Sequence, residues 1–294
     1  MANVKKVYLD SRFSMRGGTG SDFRYELADV IECGSNCVAY ITDICLPVSW
    51  PTVGPTNCKL YVIERSLDEV THKGRIFTVA GGSYNADSFA TALQTALNTT
   101  GTAGGLGGTY SVAYSAQHNK YTISNPAITF IVIDTGWLNE PIFKDAIWQC
   151  QDPPVQPNGP NYDFANPNAV NGLLGVPSLA GMGSPGFWPF ASAQTMGVAD
   201  LRSVHSVYLH SDALSTFKVV TPCGLPNCIR RVPVALGPFE VIHEGFSVSP
   251  FDFLELPNVT LKVIDIQVRD VFGRLIDMQG GHISFSVVFG SRIE

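Results

Sequence analysis

Charged side chains are scarce in this sequence. Asp, Glu, Lys and Arg make up 15 % of its 294 residues, against roughly 25 % in an average soluble domain. Hydrophobic residues reach 45 %, yet no uninterrupted apolar run approaches the roughly 20 residues of a membrane-spanning helix. We therefore expect no membrane span, and we expect the surplus apolar surface to be covered by the core or by other proteins.

Clusters of basic residues are also lacking. The formal net charge is −6, and only Lys5–Lys6 and Arg230–Arg231 place two cations side by side. Sequence-independent nucleic-acid binding requires many Lys and Arg side chains to replace the counterions of phosphates. We expect no direct contact with nucleic acid.

A paired disulfide framework is not indicated, since the chain has seven cysteines and an odd count leaves one unpaired. The first residues, MANVKKVYLD, lack the apolar stretch of a signal peptide, so we expect synthesis in the cytoplasm or nucleus without secretion. Free thiols are the expected state. The alternatives are a disulfide within Cys33–Cys37 or within Cys223–Cys228, or a tetrahedral zinc site made by the four thiolates, with His205, His210 or His243 as alternative ligands.

Catalytic motifs are missing as well. Residues 181–186 match GxGxxG in letters, but Pro185 interrupts the motif and no helix pattern follows it, so an irregular loop is predicted instead of a dinucleotide site. The neighbours His210, Ser211 and Asp212 cannot form a relay from adjacent positions, and there is no GxSxG elbow. We expect no catalytic residue, no cofactor and no enzymatic activity.

Strand patterns dominate what is present. Val259–Gly290 contains two apolar strands, the second alternating Ile283, Phe285, Val287 and Phe289 with polar residues. This period of two indicates strands with one face in a core, here predicted as a final hairpin. Short strands punctuated by Gly, Pro and Asn also fill the first eighty residues. Together they favour an antiparallel β-sandwich.

The pattern changes in the middle of the chain. Residues 85–98 place apolar side chains at helical spacing behind capping residues, and they are followed by a predicted hairpin (110–116 and 120–125) and a strand at 128–134. We therefore predict that residues 75–135 form a small α+β insertion within a β-sandwich of residues 1–74 and 136–294.

A long stretch, residues 150–200, is rich in Pro, Gly and Asn and shows almost no periodicity. Unstructured connections of this length are usually functional or interfacial. Large aromatic side chains within and near it are more often buried anchors than exposed groups. We predict that this stretch and residues 1–20 contribute to subunit interfaces, with the following aromatic candidates: Trp137, Trp148, Phe187, Trp188 and Phe190.

Six segments, in order along the chain, together resemble one protein family. They are VYLDSRF (7–13), SDFRYEL (21–27), VAYITDICLPVSWPTV (38–53), GSYNADSFATALQTALN (82–98), DLRSVHSVYLHSD (200–212) and IQVRDVFGRLIDMQGGHISFSVVF (266–289). The chain resembles the penton-like minor capsid proteins of Polinton (Maverick) elements, adintoviruses and related eukaryotic double-stranded DNA viruses.

This resemblance implies a single jelly roll that forms homopentamers at the five-fold vertices of an icosahedral virion. The implied partners are sibling copies, the major capsid protein, and a vertex fibre or other minor capsid protein. An alternative from the residues themselves is a β-sandwich on a virion spike or tail that binds a host receptor or glycan, with Trp137, Trp148 and Trp188 stacking on sugar rings.

Overall fold

The computed structural model describes residues 4–15, 18–55, 57–99, 105–133, 169–176, 189–216, 219–245 and 253–291. The chain divides into two compact units. The first unit contains Met1–Trp50 and Val204–Glu294, and the second contains Pro51–Ser203.

The first unit consists of strands and one short 3-10 helix, Ser11–Phe13. Its first three strands are β1 (Lys5–Asp10), β2 (Asp22–Glu32) and β3 (Cys37–Pro47). The second unit then contributes β4 (Lys59–Arg65), β5 (His72–Thr78), α1 (Ala86–Thr99), β6 (Ser111–Ser115), β7 (Lys120–Ser124), β8 (Thr129–Val132), α2 (Val170–Leu173) and β9 (Ala193–Thr195). The first unit resumes with β10 (Ser206–His210), β11 (Cys228–Pro233), β12 (Val241–Gly245), β13 (Leu254–Glu255), β14 (Thr260–Arg269) and β15 (Ser284–Ser291).

Two antiparallel sheets form the first unit. One sheet has the order β1-β15-β3, and β12 and β13 share the far edge of β3. The other has the order β11-β10-β14-β2. Successive strands cross from one sheet to the other except at β10–β11 and β12–β13, and this is the connectivity of a jelly roll. The predicted antiparallel jelly-roll sandwich is confirmed.

Alternating side chains explain the packing of these sheets. In β14, Ile264, Ile266 and Val268 are fully buried while the residues between them are half-buried. In β15, Phe285 and Val287 point to the same core. Because both sheets supply such a face, the core lies between them as in other sandwiches.

The final run is not the hairpin that its sequence suggested. β14 pairs with β10 and β2, whereas β15 pairs with β1 and β3 in the other sheet. Residues 270–283 carry the chain across from one sheet to the other. Two adjacent strands with one apolar face each can either pair or stack across a core, and the period of two is the same in both cases.

The second unit combines two three-stranded sheets, β5-β4-β8 and β6-β7-β9, with its helices. Helix α1 buries Phe89, Leu93 and Leu97, and Asn85 accepts a hydrogen bond from Ser88 N–H at 2.8 Å before the first turn. The predicted helix and the β6–β7 hairpin are confirmed. None of the helices in the described ranges is long and apolar enough to cross a membrane.

The second unit is larger than the insertion predicted over 75–135. It includes β4, which lies before the predicted start at residue 75, and β5, which spans that start. It also extends to Ser203. The predicted boundary failed to separate β4 from the strands of the jelly roll because a strand's own sequence does not specify the sheet that it joins.

Asn171 is a fully buried polar residue of the second unit. Its Oδ1 accepts from Tyr61 N–H at 3.1 Å, and its Nδ2 donates to the carbonyls of Tyr61 (3.1 Å) and Ile133 (2.6 Å). It lies where β8 ends beside β4, so one amide side chain continues the hydrogen bonding of the ladder and joins α2 to the sheet.

Replacing Asn171 with Leu should lower the free energy of unfolding by about 2–4 kcal/mol, because it removes three buried hydrogen bonds. Gln94→Ala is the matched control, since Gln94 also bonds a strand N–H, that of Val112, but at the exposed surface; we expect it to cost less than about 1 kcal/mol. Chemical denaturation measures both. Equal losses in the two variants would contradict the structural role assigned to Asn171.

Candidate assembly surface

Four of the five predicted interface aromatics, Trp137, Trp148, Phe187 and Trp188, lie outside the described residues, as does the 181–186 motif. Phe190 is described and is half-buried. Its ring lies 4.5 Å from the Arg65 guanidinium carbon and 5.6 Å from the His72 ring, measured between centres. Phe190 therefore packs against its own unit, through a cation–π contact that keeps Arg65 in place.

The four cysteines considered for zinc do not meet. Cys33 N–H donates to the carbonyl of Val259, immediately before β14 begins, while Cys223 lies against Gly273, beyond the end of β14. A ten-residue strand spans about 33 Å, so the two pairs cannot share one ion. No group of three or more His, Cys, Asp or Glu side chains suited to a metal occurs within the described ranges.

Burial disfavours the thiolate form of Cys33 and Cys228. Removal from water raises the pKa of Cys33 to about 12, with the neighbouring Cys37 contributing, and raises the pKa of Cys228 to about 11. Both thiols stay protonated near neutral pH, whereas metal binding needs thiolates. The structure has them as free cysteines.

His210 and its neighbours serve the local fold. His210 is fully buried on β10, and its Nδ1 lies 2.6 Å from Asn227 Oδ1. Asn227 in turn donates to Asp212 at 2.7 Å. The Ser211 hydroxyl donates to Asp265 at 3.3 Å and not to His210, so the three consecutive residues do not line up as a nucleophile, base and acid.

Asp265 organises the turn after β10. Its carboxylate accepts from the backbone N–H groups of Asp212 and Ala213, each at 2.9 Å, in addition to the Ser211 hydroxyl. These charge-assisted bonds satisfy backbone donors at the start of a long connection. These hydrogen bonds serve the local fold, although the buried Nε2 of His210 has no hydrogen-bond partner among the described residues.

Among the described residues of the first unit, the most exposed aromatic side chains lie at one end of a sheet. Phe13 is 73 % exposed and Phe239 is 77 % exposed. Phe13 follows the end of β1, Phe239 precedes β12, and the register places the ends of β1 and β3 beside the starts of β15 and β12. We call Phe13 and Phe239 the strand-end aromatics. Exposed aromatics of this size are typical of interaction sites.

Phe13 is presented by a capped turn. The Asp10 carboxylate accepts from Arg12 N–H at 2.9 Å, which caps the 3-10 helix. The Arg12 guanidinium binds the same carboxylate through two nitrogens at 3.0 and 2.6 Å, and these hydrogen bonds lower the pKa of Asp10. The local sequence Asp-Ser-Arg-Phe thus fixes the backbone from which Phe13 projects.

Phe239 is held in a backbone conformation that bulky residues rarely adopt. Its φ is 69°, in the left-handed region that usually takes Gly or Asn. Phe239 N–H donates to the Val48 carbonyl at 2.9 Å, Val48 N–H donates to the Glu240 carbonyl at 2.8 Å, and Glu240 Oε2 accepts from Gly237 N–H at 2.6 Å. These surrounding hydrogen bonds hold Phe239 in its strained backbone conformation. Strain of this kind is often found at functional positions.

The strand-end aromatics were not among the predicted interface residues. The adjacent sequence did contain a signal, because Gly237-Pro238 marks a turn and a large aromatic directly after a turn is unusual. Exposure, however, depends on which residues pack around the turn, and this is a property of the folded unit.

Comparisons with known proteins identify a shared fold. No protein-family model matches the chain, and no curated protein matches it. Among solved structures, it is similar to the crystal structure of the selenomethionine-labelled mavirus penton protein, with a TM-score of 0.53 and 10 % sequence identity over 99 % of this chain and 100 % of that one. At this identity the likeness establishes the fold.

His210 should make stability depend on pH. Burial lowers its pKa in the folded protein, whereas the unfolded chain takes up a proton near the ordinary value of about 6.5. Its stabilising effect is therefore complete above that value and declines as the pH falls through it. We expect the melting temperature to fall less steeply from pH 7.5 to 5 in His210→Gln than in the wild type.

The exposed His118 provides the control for that measurement, and His118→Gln should retain the wild-type slope of melting temperature against pH. Parallel slopes for the wild type and His210→Gln would show that the burial of His210 does not set the acid sensitivity.

Phe239→Gly should stabilise the isolated chain by about 0.5–1 kcal/mol, because glycine adopts a positive φ without strain. Phe239→Ala removes the same ring but keeps the strained conformation, so it is the matched control and should not stabilise. Denaturant unfolding of the two variants tests this. A less stable glycine variant would mean that the ring contributes packing energy within its own unit.

Proposed function

We propose that this chain is a penton-like capsid protein that occupies the vertices of an icosahedral viral shell. The observation that carries the proposal is the extent of the likeness to the mavirus penton protein, which covers 99 % of this chain and the whole of the other. That coverage includes both units of the chain. A shared jelly roll alone would match only part of the chain.

The composition and the exposed aromatics support an assembled protein. With 15 % charged residues, the chain has fewer charges than the surface of a separate soluble domain usually carries. The strand-end aromatics lie at one end of the first unit, where a neighbouring protein could cover them. The proposed partners are sibling copies in a homopentamer, the major capsid protein, and a vertex fibre or other minor capsid protein.

The proposed location is the virion. A closed ring of five identical chains uses heterologous contacts, so each copy needs two different complementary surfaces. The narrower assignment to Polinton elements, adintoviruses or their relatives stays a prediction, since the likeness supports a penton-like protein without choosing among viral groups.

Co-expression with the major capsid protein of the same source tests the function. We expect shells that incorporate the chain, and shells with open vertices when the chain is omitted, because the proposed role of the chain is to fill the five-fold positions. Electron microscopy of the purified particles measures both outcomes.

The Phe239→Ala variant tests the contribution of one exposed ring in the same assay, since it removes the ring and leaves the main chain unchanged. We expect reduced incorporation with an unchanged fold by circular dichroism. A chain that never joins shells, and that instead binds glycans as a monomer or trimer, would overturn the proposal and support a receptor-binding spike or tail module.

A further inference from the structure

The sheet β11-β10-β14-β2 has two edge strands of opposite charge. On β2, four carboxylate residues are exposed, and Arg24 is the single basic residue of the strand. The four are Asp22, Glu26, Asp29 and Glu32. Glu26 is partly neutralised by Lys262 of β14 at 3.5 Å, which leaves the edge with a surplus of negative charge.

The opposite edge, β11, contains two arginines and no acidic residue. Arg231 is exposed, and its guanidinium donates to the Ser206 hydroxyl through two nitrogens at 3.1 and 3.0 Å. A hydroxyl partner orients the guanidinium without neutralising it. This edge is therefore positively charged.

The other sheet carries less net charge at its edges. Its edge strand β1 contains the exposed Lys5 and Lys6, but Lys6 is paired with Asp43 of β3 at 3.1 Å. Glu240 is exposed directly before β12 at the other edge. Residues 11–21 join β1 to β2, and residues 234–240 join β11 to β12. Connections this short keep β1 beside β2 on one side of the sandwich and β12 beside β11 on the other.

Charged edge strands have a general explanation, because charges of either sign discourage strands of other molecules from pairing with a free edge. Pro233 on β11 serves the same purpose, since it cannot donate a hydrogen bond. This explanation accounts for the presence of charge. It does not account for the separation of the signs, with carboxylates concentrated on β2 and none on β11.

We propose that the acidic β2 edge of one copy of this chain contacts the basic β11 edge of the next copy. The occupant of each edge is thus a second copy of the chain, held by charge complementarity between side chains and not by an extended β-ladder. The closure of such contacts into a ring rests on the proposed vertex function.

Charge also selects the head-to-tail arrangement. Two β2 edges facing each other would repel, as would two β11 edges. A head-to-tail contact between β2 and β11 is heterologous, and such a contact can close after a fixed number of copies.

Charge reversal of each edge tests the inference on the full-length chain. Asp22→Lys with Asp29→Lys makes both edges positive, and Arg230→Glu with Arg231→Glu makes both negative. We expect each double variant to raise the dissociation constant of the assembly by about tenfold to 100-fold, measured by sedimentation velocity. Wild-type assembly should also weaken as salt is added.

The variant that combines all four substitutions is the matched control. It keeps the wild-type net charge, carries every change, and should assemble again because each edge meets an opposite one. Thr91→Lys with Thr95→Lys, on the exposed face of α1, adds charge elsewhere and should leave assembly unchanged.

Several outcomes would overturn the inference. Rings that form equally in every variant would exclude these edges while leaving the vertex function in place. Loss of assembly only in the β2 variant would indicate a two-fold contact between β1 and β2 instead. A wild-type chain that stays monomeric at low salt and high concentration excludes the self-contact, and co-expression with the capsid protein then decides the proposed function separately.

Discussion

The structure of the first unit depends on the position of its last two strands. β14 lies between β10 and β2, and β15 lies between β1 and β3, so the C-terminal strands form the interior of both sheets. Neither sheet is complete until the end of the chain has joined strands that were made near its beginning. Such long-range pairing has a high entropic cost before the contacts form, and folding of this kind is slow. Burial of the apolar faces of these two strands in the shared core offsets that cost.

Placing the C-terminal strands inside the sheets leaves the early and middle strands at the edges. β1, β2, β11 and β12 therefore carry the surfaces through which the sandwich can meet other molecules. These edges differ in charge, and the ends of β1 and β3 bring Phe13 and Phe239 to one end of the unit. The left-handed conformation of Phe239 indicates that the fold tolerates strain there.

Much of the fold was accessible from sequence because it follows from local patterns. The alternation in β14 and β15, the capped helix α1 and the β6–β7 hairpin were all predicted. The sheet that each strand joins cannot be predicted in this way, because a period of two is the same in any sheet. The hairpin predicted for β14 and β15 is wrong for this reason, and β4 belongs to the second unit and not to the jelly roll. Of the predicted interface aromatics, only Phe190 falls in the described residues, and it packs internally. The strand-end aromatics were missed because exposure is set by neighbours that are distant in sequence.

The proposed vertex role requires that the free edges and exposed aromatics of the jelly roll are covered by neighbouring subunits. Three-dimensional reconstruction of particles that carry a tagged copy of the full chain tests it most directly. The account predicts tag density at the five-fold axes, with five copies around each axis. Density at other positions of the shell, or particles that lack the chain altogether, would contradict it.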